Sequence, residues 1–338
     1  MRITVLLGGT SSERDVSIAS GLRIAGALRS RGHKVAAVDT VRGPLNAHDE
    51  HALLRERVVK TAPPTLDALE DMGRDALGRL AGFLPGKDDT DVVFLALHGG
   101  TGEDGTLQAV LDLVGVPYTG SGHLASALAM DKDLSKRLFR AAGVRTADWV
   151  MAPATVEQIR ATIGFPTIVK PSREGSTVGL TLVKDPDALE AAIGTARRYD
   201  SEVMLERYIP GRELTVGVLG EEPLPVGEII PRHEIYDYEC KYTPGMAEER
   251  FPADITSGQA QGLQQQAVDA FRALKLSGYA RIDFRVTDAG ESYCLEANTL
   301  PGMTELSLIP QGAAAAGIEF PELCERIAML ALTGNGRH

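Results

Sequence analysis

Ile3-Thr4-Val5-Leu6-Leu7, closed by Gly8-Gly9-Thr10, is a short apolar run stopped by glycines near the start of the chain. Such a run suits a strand buried on both faces. Behind the glycines Ile18, Leu22, Ala25 and Leu28 recur at helical spacing, Gly32 closes that helix, and Lys34 to Val38 makes a second strand. Strand, helix and strand in this order predict a βαβ unit and a parallel sheet. Val92 to Leu97 adds another buried strand, which runs into His98-Gly99-Gly100-Thr101-Gly102-Glu103-Asp104-Gly105. A helix from Leu107 to Val114 and a strand at Val116 to Tyr118 end the first unit near Gly120. Residues 41 to 90 hold Leu66, Leu69, Leu77 and Leu80 at helical spacing among prolines and acids, with no assignable chemistry.

Further along, one helix is predicted from Leu124 to Ala142, with Asp131-Lys132 in its middle. Thr167 to Lys170 reads as a strand, Pro171 to Gly179 as a loop, Leu180 to Val183 as a strand and Pro186 to Arg198 as a helix. The last third is richer in strands, at Glu213 to Leu219, Leu224 to Ile230, Arg281 to Val286 and Ser292 to Ala297. The fold class is therefore α/β followed by α+β, in three pieces: 1–121, 122–205 and 206–338.

The 338 residues suffice for two or three compact domains, and 43% hydrophobic with 24% charged residues is ordinary globular composition. Against 35 Lys and Arg stand 46 Asp and Glu, a net charge of −11, which argues against broad contact with nucleic acid or an anionic membrane. Cys240, Cys294 and Cys324 form no Cys-x-x-Cys pair, so neither a disulfide framework nor a zinc site is expected. The apolar N-terminal run is too brief for a signal or a membrane span. A cytoplasmic enzyme is the expectation.

Four clusters carry chemistry. In Arg281-Ile282-Asp283-Phe284-Arg285-Val286 charged and apolar residues alternate, and Tyr293-Cys294-Leu295-Glu296-Ala297-Asn298 alternates likewise. A turn centred on Ala289-Gly290 sets Asp283 opposite Glu296 and Arg281 opposite Asn298. Two opposed carboxylates repel unless something positive lies between them, and oxygen-only ligands suit Mg²⁺. A solvated strand face is the competing reading. The second cluster, Lys170-Pro171-Ser172-Arg173-Glu174-Gly175-Ser176-Thr177-Val178-Gly179, joins a strand-end lysine to a Ser- and Gly-rich loop that can cradle phosphates or simply turn a hairpin. The third is Glu13 at a strand-to-helix junction, either an anchor for an ammonium group or a helix-capping acid, with His98 ending a strand of the same sheet. The fourth runs from Pro231 to Pro252 with Arg232, Tyr236, Tyr238, Lys241 and Tyr242; a mobile lid and an ordinary surface loop both fit it.

Taken together these stretches resemble the D-alanine–D-alanine ligase family of the ATP-grasp superfamily. The matching segments are LLGGTSSERDVS, LHGGTGEDGTLQ, YTGSG, AMDK, IVKPSREGSTVG, YDYECKY, ARIDF and LEANTLPGMTELS, in that order between Val5 and Leu308. The stretch from 41 to 90 looks longer than in the family's shorter members. The resemblance implies a three-domain ATP-grasp architecture with an N-terminal parallel-sheet domain and a lid at 231–252. It implies Lys132 and Lys170 on the phosphates of ATP, Glu206 and Glu213 on adenine and ribose, and Lys241 closing from the lid. Asp283, Glu296 and Asn298 would hold Mg²⁺ or Mn²⁺. Glu13 would anchor the first substrate's amino group, with Ser176 and Tyr242 bonded to it and His98 beside the same substrate. Arg281 and the Gly302 N–H would face the reacting carbonyl, while Ser307 and Leu308 would receive the second carboxylate.

The activity so implied is ATP-dependent joining of two D-alanines through a D-alanyl phosphate, for peptidoglycan precursors, by a cytoplasmic homodimer that engages neither nucleic acid nor membrane. Lys241-Tyr242 resembles the pair in ligases that take an amine as second substrate. The alternatives are another ATP-grasp carboxylate–amine ligase of specialised metabolism, or a nucleotide-binding regulator without turnover.

Overall fold

A computed structural model describes residues 1–55, 82–243 and 245–333, and positions 65, 68, 71, 72, 78 and 80 between them; the side chain of Tyr242 is not among what is described. Three sheets organise the chain. The first is built from β1 (Arg2–Leu7), β2 (Lys34–Asp39), β3 (Gly43–Pro44) and β4 (Val92–Leu95) in the order β3-β2-β1-β4. β1 pairs in parallel with β2 and β4, as the βαβ reading requires, and only β3 is antiparallel. Helix α1 (Arg14–Ser30) is the crossover, and Gly32 closes it at φ +83°, a left-handed angle that a Cβ disfavours. β1 is buried from Ile3 onward, so its apolar run is spent on both faces of the sheet. The expected strand at Val116 to Tyr118 reduces to a single bridge between Val93 and Tyr118. Within 41–90 the structure adds α2 (Ala47–Arg55), and Leu80 is buried in the first core; Leu66, Leu69 and Leu77 lie outside the described residues.

After α3 (Thr106–Val114) the single helix expected from Leu124 to Ala142 is two: α4 (His123–Met130) and α5 (Lys132–Ala141). Asp131 separates them because its extended backbone lets its carboxylate accept the Leu134 N–H and cap the second helix. This break puts Lys132 in the first turn of a helix instead of mid-span.

The second sheet is antiparallel, in the order β5-β8-β6-β7, from β5 (Trp149–Met151), β6 (Thr167–Pro171), β7 (Thr181–Val183) and β8 (Val203–Arg207). Helices α6 (Val156–Thr162), opened by a Thr155–Gln158 capping box, and α7 (Leu189–Arg197) cover it.

The third sheet has six strands: β9 (Arg212–Leu219), β10 (Glu222–Pro223), β11 (Gly227–Pro231), β12 (Ala247–Arg250), β13 (Tyr279–Val286) and β14 (Ser292–Asn298). Its central β9 and β13 pair over eight residues, Tyr279 opposite Leu219 through Val286 opposite Arg212. The segment from Pro231 to Pro252 is more regular than a loop, holding α8 (Tyr238–Tyr242) and β12 on the edge of β11. Helix α9 (Ser257–Ala273) packs on this sheet, and α10 (Leu308–Ala315) and α11 (Phe320–Leu332) end the chain. No helix among the described residues is long and apolar enough to cross a membrane.

Candidate active site

The β13–β14 hairpin sets the floor. Asp283 lies opposite Glu296 and Arg281 opposite Asn298, the predicted pairs. The route to them differs from strict alternation. A bulge between Asp283 and Phe284 makes Phe284 face Cys294, leaving Leu295 as the surplus residue. Without it Cys294 would share a face with the acids; instead it is buried in the core beside Phe284.

The opposed acids are held by cations. Arg281 Nε donates to Asp283 Oδ1 at 2.9 Å and its Nη2 to Oδ2 at 2.8 Å. Thr215 Oγ1 donates to Oδ1 at 2.7 Å and Asn298 Nδ2 to Oδ2 at 3.0 Å. Burial works against the Arg281 charge, but the Asp283 carboxylate outweighs it and holds the guanidinium above its ordinary range. Lys132 Nζ stands 3.3 Å from Glu296, whose side chain keeps 26% of its surface open. Burial alone would raise Glu296; Lys132, Lys241 and Lys170 outweigh that and hold it at about 2. The set is therefore two carboxylates and an amide whose Nδ2 is occupied, leaving Asn298 Oδ1 as the third ligand oxygen. That is the donor chemistry of a hard divalent cation.

A cleft between the second and third sheets receives Lys132, Arg281, Asp283 and Glu296 together with Lys170, Ser176, Glu206, Glu213, Lys241 and Leu308. Lys170 is the penultimate residue of β6, and its Nζ donates to Glu206 Oε2 at 2.7 Å. Glu206 also accepts from Lys136, a fully buried lysine on α5 that donates to Thr146 at 2.5 Å as well. Burial pushes Glu206 up, yet Lys136 and Lys170 bring it down to about 2. Burial also lowers Lys136, but its acceptors assign the pair as ammonium and carboxylate. Glu213, seven residues on, meets only Arg285 at 3.4 Å, and burial lifts it to about 7. Ile168, Ile209 and Leu295 supply apolar walls.

The loop after β6 turns through Ser176 at φ 48° and Thr177 at φ 63°, left-handed angles that cost non-glycine residues on the order of 1 kcal/mol each. The loop is nevertheless held: Ser176 Oγ donates to Glu13, and Thr177 Oγ1 donates to the Tyr236 carbonyl at 2.8 Å. A Cβ at Gly175 would come within 2.8 Å of Glu13 Oε2 and would displace that carboxylate. Glu13 precedes α1 but makes no side-chain cap bond to it, which sets the capping reading aside.

Glu13, His98, Asn298, Gly302 and Ser307 line a second hollow, which shares Lys132, Ser176, Lys241, Arg281 and Glu296 with the first. His98 uses both ring nitrogens: Nδ1 lies 2.7 Å from the Leu300 carbonyl and Nε2 3.0 Å from Ser20 Oγ. Burial lowers its pKa, so it is a neutral imidazole that donates from Nδ1. Gly302 passes so near Ser307 that a Cβ would lie 2.7 Å from Ser307 Oγ. Ser307 itself stands at the N-cap of α10, where helix N–H groups favour a carboxylate.

Residues 2–121 match the family model described as the D-ala D-ala ligase N-terminus and residues 133–329 that of the D-ala D-ala ligase C-terminus. The chain belongs to the D-alanine–D-alanine ligase family. The D-alanine–D-alanine ligase of Trichlorobacter lovleyi is 43% identical, with 99% of this chain and 96% of that protein covered. That of Geobacter sulfurreducens is 42% identical over the same shares. Among solved structures, the Bacillus anthracis D-alanine–D-alanine ligase complexed with ATP superimposes with a TM-score of 0.76 at 33% identity, covering 98% of this chain and 97% of that one. The ATP-grasp expectation for the fold is borne out.

Within this ligase framework several neighbours of the cleft escaped the sequence reading. Lys136 carried a signal, since it lies four residues from Lys132 on one helix face. Glu103 carried none. Its carboxylate accepts the N–H groups of Gly99 at 2.9 Å, Thr299 at 3.0 Å and Leu300 at 2.9 Å, tying the first sheet to the segment between Asn298 and Gly302. Burial raises it to about 7. Lys241, on α8, has its Nζ over the ring of Tyr236 at 5.4 Å. Tyr242 is the one predicted site residue whose side chain lies outside the described structure.

Proposed function

We infer that the chain joins two D-alanine molecules at the expense of ATP, giving ADP, phosphate and D-alanyl-D-alanine through a D-alanyl phosphate, for peptidoglycan precursor synthesis. The observation that carries this reading is the sharing of Lys132, Ser176, Lys241, Arg281 and Glu296 by the two hollows, which sets a nucleotide and a small amino acid side by side.

Glu206 and Glu213 would receive the adenosine end of ATP against the walls of Ile168, Ile209 and Leu295. Lys132 and Lys170 would leave their present carboxylate partners for phosphate oxygens. Asp283, Glu296 and Asn298 would hold Mg²⁺, which when bound neutralises charge on the transferring phosphoryl group. Glu13, steadied by Ser176, would grip the ammonium of the first D-alanine and turn its carboxylate toward the γ-phosphorus; Tyr242 would complete that contact from the lid. The second D-alanine would place its carboxylate at Ser307 and Leu308, and its amine would attack the acyl phosphate. Arg281 and the Gly302 N–H would stabilise the resulting oxyanion, and one such donor is typically worth about 10²–10³ in rate. Neutral His98, with its nitrogens engaged, would shape the first substrate's pocket and orient α1 through Ser20. Closure of 231–252 would keep water from the acyl phosphate.

The three sheets support a division into 1–121, 122–205 and 206–338. A homodimer in the cytoplasm is the arrangement that the family resemblance supports, and sedimentation of the purified chain tests the first half of it. For the activity itself, the chain is incubated with ATP, Mg²⁺ and D-alanine and the products are read by mass. D-Alanyl-D-alanine and ADP in equal amounts are expected. ADP release without dipeptide, or none of either at millimolar D-alanine, would sink the reading.

A further inference from the structure

At the foot of the lid His233, Asp237 and Cys240 gather around the first turn of α8. His233 Nδ1 lies 2.7 Å from Asp237 Oδ2, and one ligand atom from each of the three residues falls within 4.8 Å of the others. Among the described residues no other three His, Cys, Asp or Glu side chains converge in this way. A tetrahedral ion with bonds of about 2.0–2.3 Å keeps its N, O and S ligands roughly 3.3–3.6 Å apart, so small side-chain adjustments bring these three onto one centre. We propose that His233, Asp237 and Cys240 bind a single zinc-class divalent cation, leaving its fourth position to water.

The ligand types decide the class of metal. One imidazole, one carboxylate and one thiolate suit zinc and its d-block neighbours, whereas Mg²⁺ asks for oxygen alone. Division of labour within Asp237 fits as well, since Oδ1 already accepts the Cys240 N–H at 2.9 Å and caps α8, leaving Oδ2 for the ion. Cys240 is buried beside Ile229, Tyr236 and Leu308, and burial, with the Asp237 carboxylate, raises its thiol; the backbone N–H groups of His233 and Arg232 act against that rise, and a bound cation would have to overcome the remainder. On binding, the Cys240 thiol and the His233 Nδ1–H that faces Asp237 both give up their protons to solvent, and the imidazole is left neutral with its hydrogen on Nε2. The spacing His-x₃-Asp-x₂-Cys lacks a paired cysteine, which is why the cysteine count alone spoke against zinc. An ion here would staple the turn at 233–237 to α8 and so fix the helix that carries Lys241; that consequence rests on the ligase reading, the site itself does not.

The full chain, reduced and stripped of metal, is titrated with Co²⁺ in excess Mg²⁺ and followed by absorption. A thiolate-to-cobalt charge-transfer band that saturates at one equivalent is expected, and Zn²⁺ should displace it. Cobalt on Asp283, Glu296 and Asn298 has only oxygen ligands and gives no such band. Cys240→Ser should abolish the band, and His233→Ala should weaken cobalt binding by at least about tenfold. No band in the wild type, or an equal band in Cys240→Ser, overturns the site. If Cys240→Ser fails to fold, exposed His233 decides the matter, and unchanged affinity in His233→Ala overturns it. Dipeptide synthesis under Mg²⁺ is scored separately, so loss of the zinc site and loss of the ligase reading are distinct results.

Discussion

Glu206 and Glu213 stand at the two ends of one short connection, line one cleft, and are both withdrawn from solvent, yet they are driven in opposite directions. Glu206 is held at about 2 by two lysines, whereas Glu213, with one arginine at 3.4 Å, is lifted to about 7. Desolvation penalises both charges; the number and nearness of cations decides which penalty is overcome. The same contrast recurs across the site. Glu296 joins Glu206 among the lysines, while Glu103 and Glu174 join Glu213, each raised to about 7 chiefly by burial. A phosphate ligand has use for cations that can exchange one anion for another, and a ribose has use for an acceptor.

The largest effect expected of breaking this contrast is at Glu296. Glu296→Gln removes a charge that Lys132 engages and that a divalent ion would share on the proposed reading, and dipeptide formation should fall by about 10³ while circular dichroism stays native. Near-normal turnover would remove Glu296 from the metal set. Next, Lys136→Met strips Glu206 of its innermost partner. Taking one member from a buried pair costs about 3–5 kcal/mol, and the surviving Lys170 should hold the loss near the lower end, measured as a fall in urea midpoint at constant slope. A midpoint unchanged would mean that Lys170 alone suffices.

A smaller effect belongs to Glu103. Its folded pKa of about 7 exceeds the ordinary 4.5, so the folded protein binds this proton more tightly than the unfolded chain. The stability it contributes is complete below about 4.5 and is lost as pH rises through about 7, on the order of 3 kcal/mol. Comparing urea unfolding of wild type and Glu103→Gln at pH 5 and pH 8 checks the sign: wild type should lose ground to the variant at the higher pH. The smallest is Glu213→Gln, expected to raise the KM for ATP about fivefold with kcat little changed, the value of one hydrogen bond losing its charge. Wild-type KM should climb as pH falls below about 7 and Glu213 takes up its proton, and the variant's should not.

How much of this was legible in the sequence follows from the range of the forces involved. The first βαβ unit was, because β1, α1 and β2 each announce themselves within a dozen residues and the parallel pairing follows from their order. The opposition of Asp283 and Glu296 was legible too, since a hairpin is a local object. The break at Asp131 was missed because α4 and α5 share one helical pattern across it, and only the cap bond to Leu134 interrupts the backbone. Glu103 was invisible for a deeper reason. Two of its three backbone donors, Thr299 and Leu300, lie nearly two hundred residues away, and no residue type records where a backbone donor will arrive. The helix and edge strand inside 231–252 were masked by its polar, aromatic composition, which hid the pairing of β12 with β11.

In an unbroken ladder, neighbours along a strand look to opposite sides. The surplus residue in β14 suspends that rule for one step, so Leu295 and Glu296, adjacent in the chain, both reach the cleft between the second and third sheets. On the proposed reading, one kink would thus supply a greasy shelf for a flat heterocycle and, about 3–4 Å further along the backbone, a carboxylate for the cation that accompanies its polyphosphate tail. Excising Leu295 would restore a regular hairpin with its acids still opposed, and the enzyme would lose the shelf while keeping the grip.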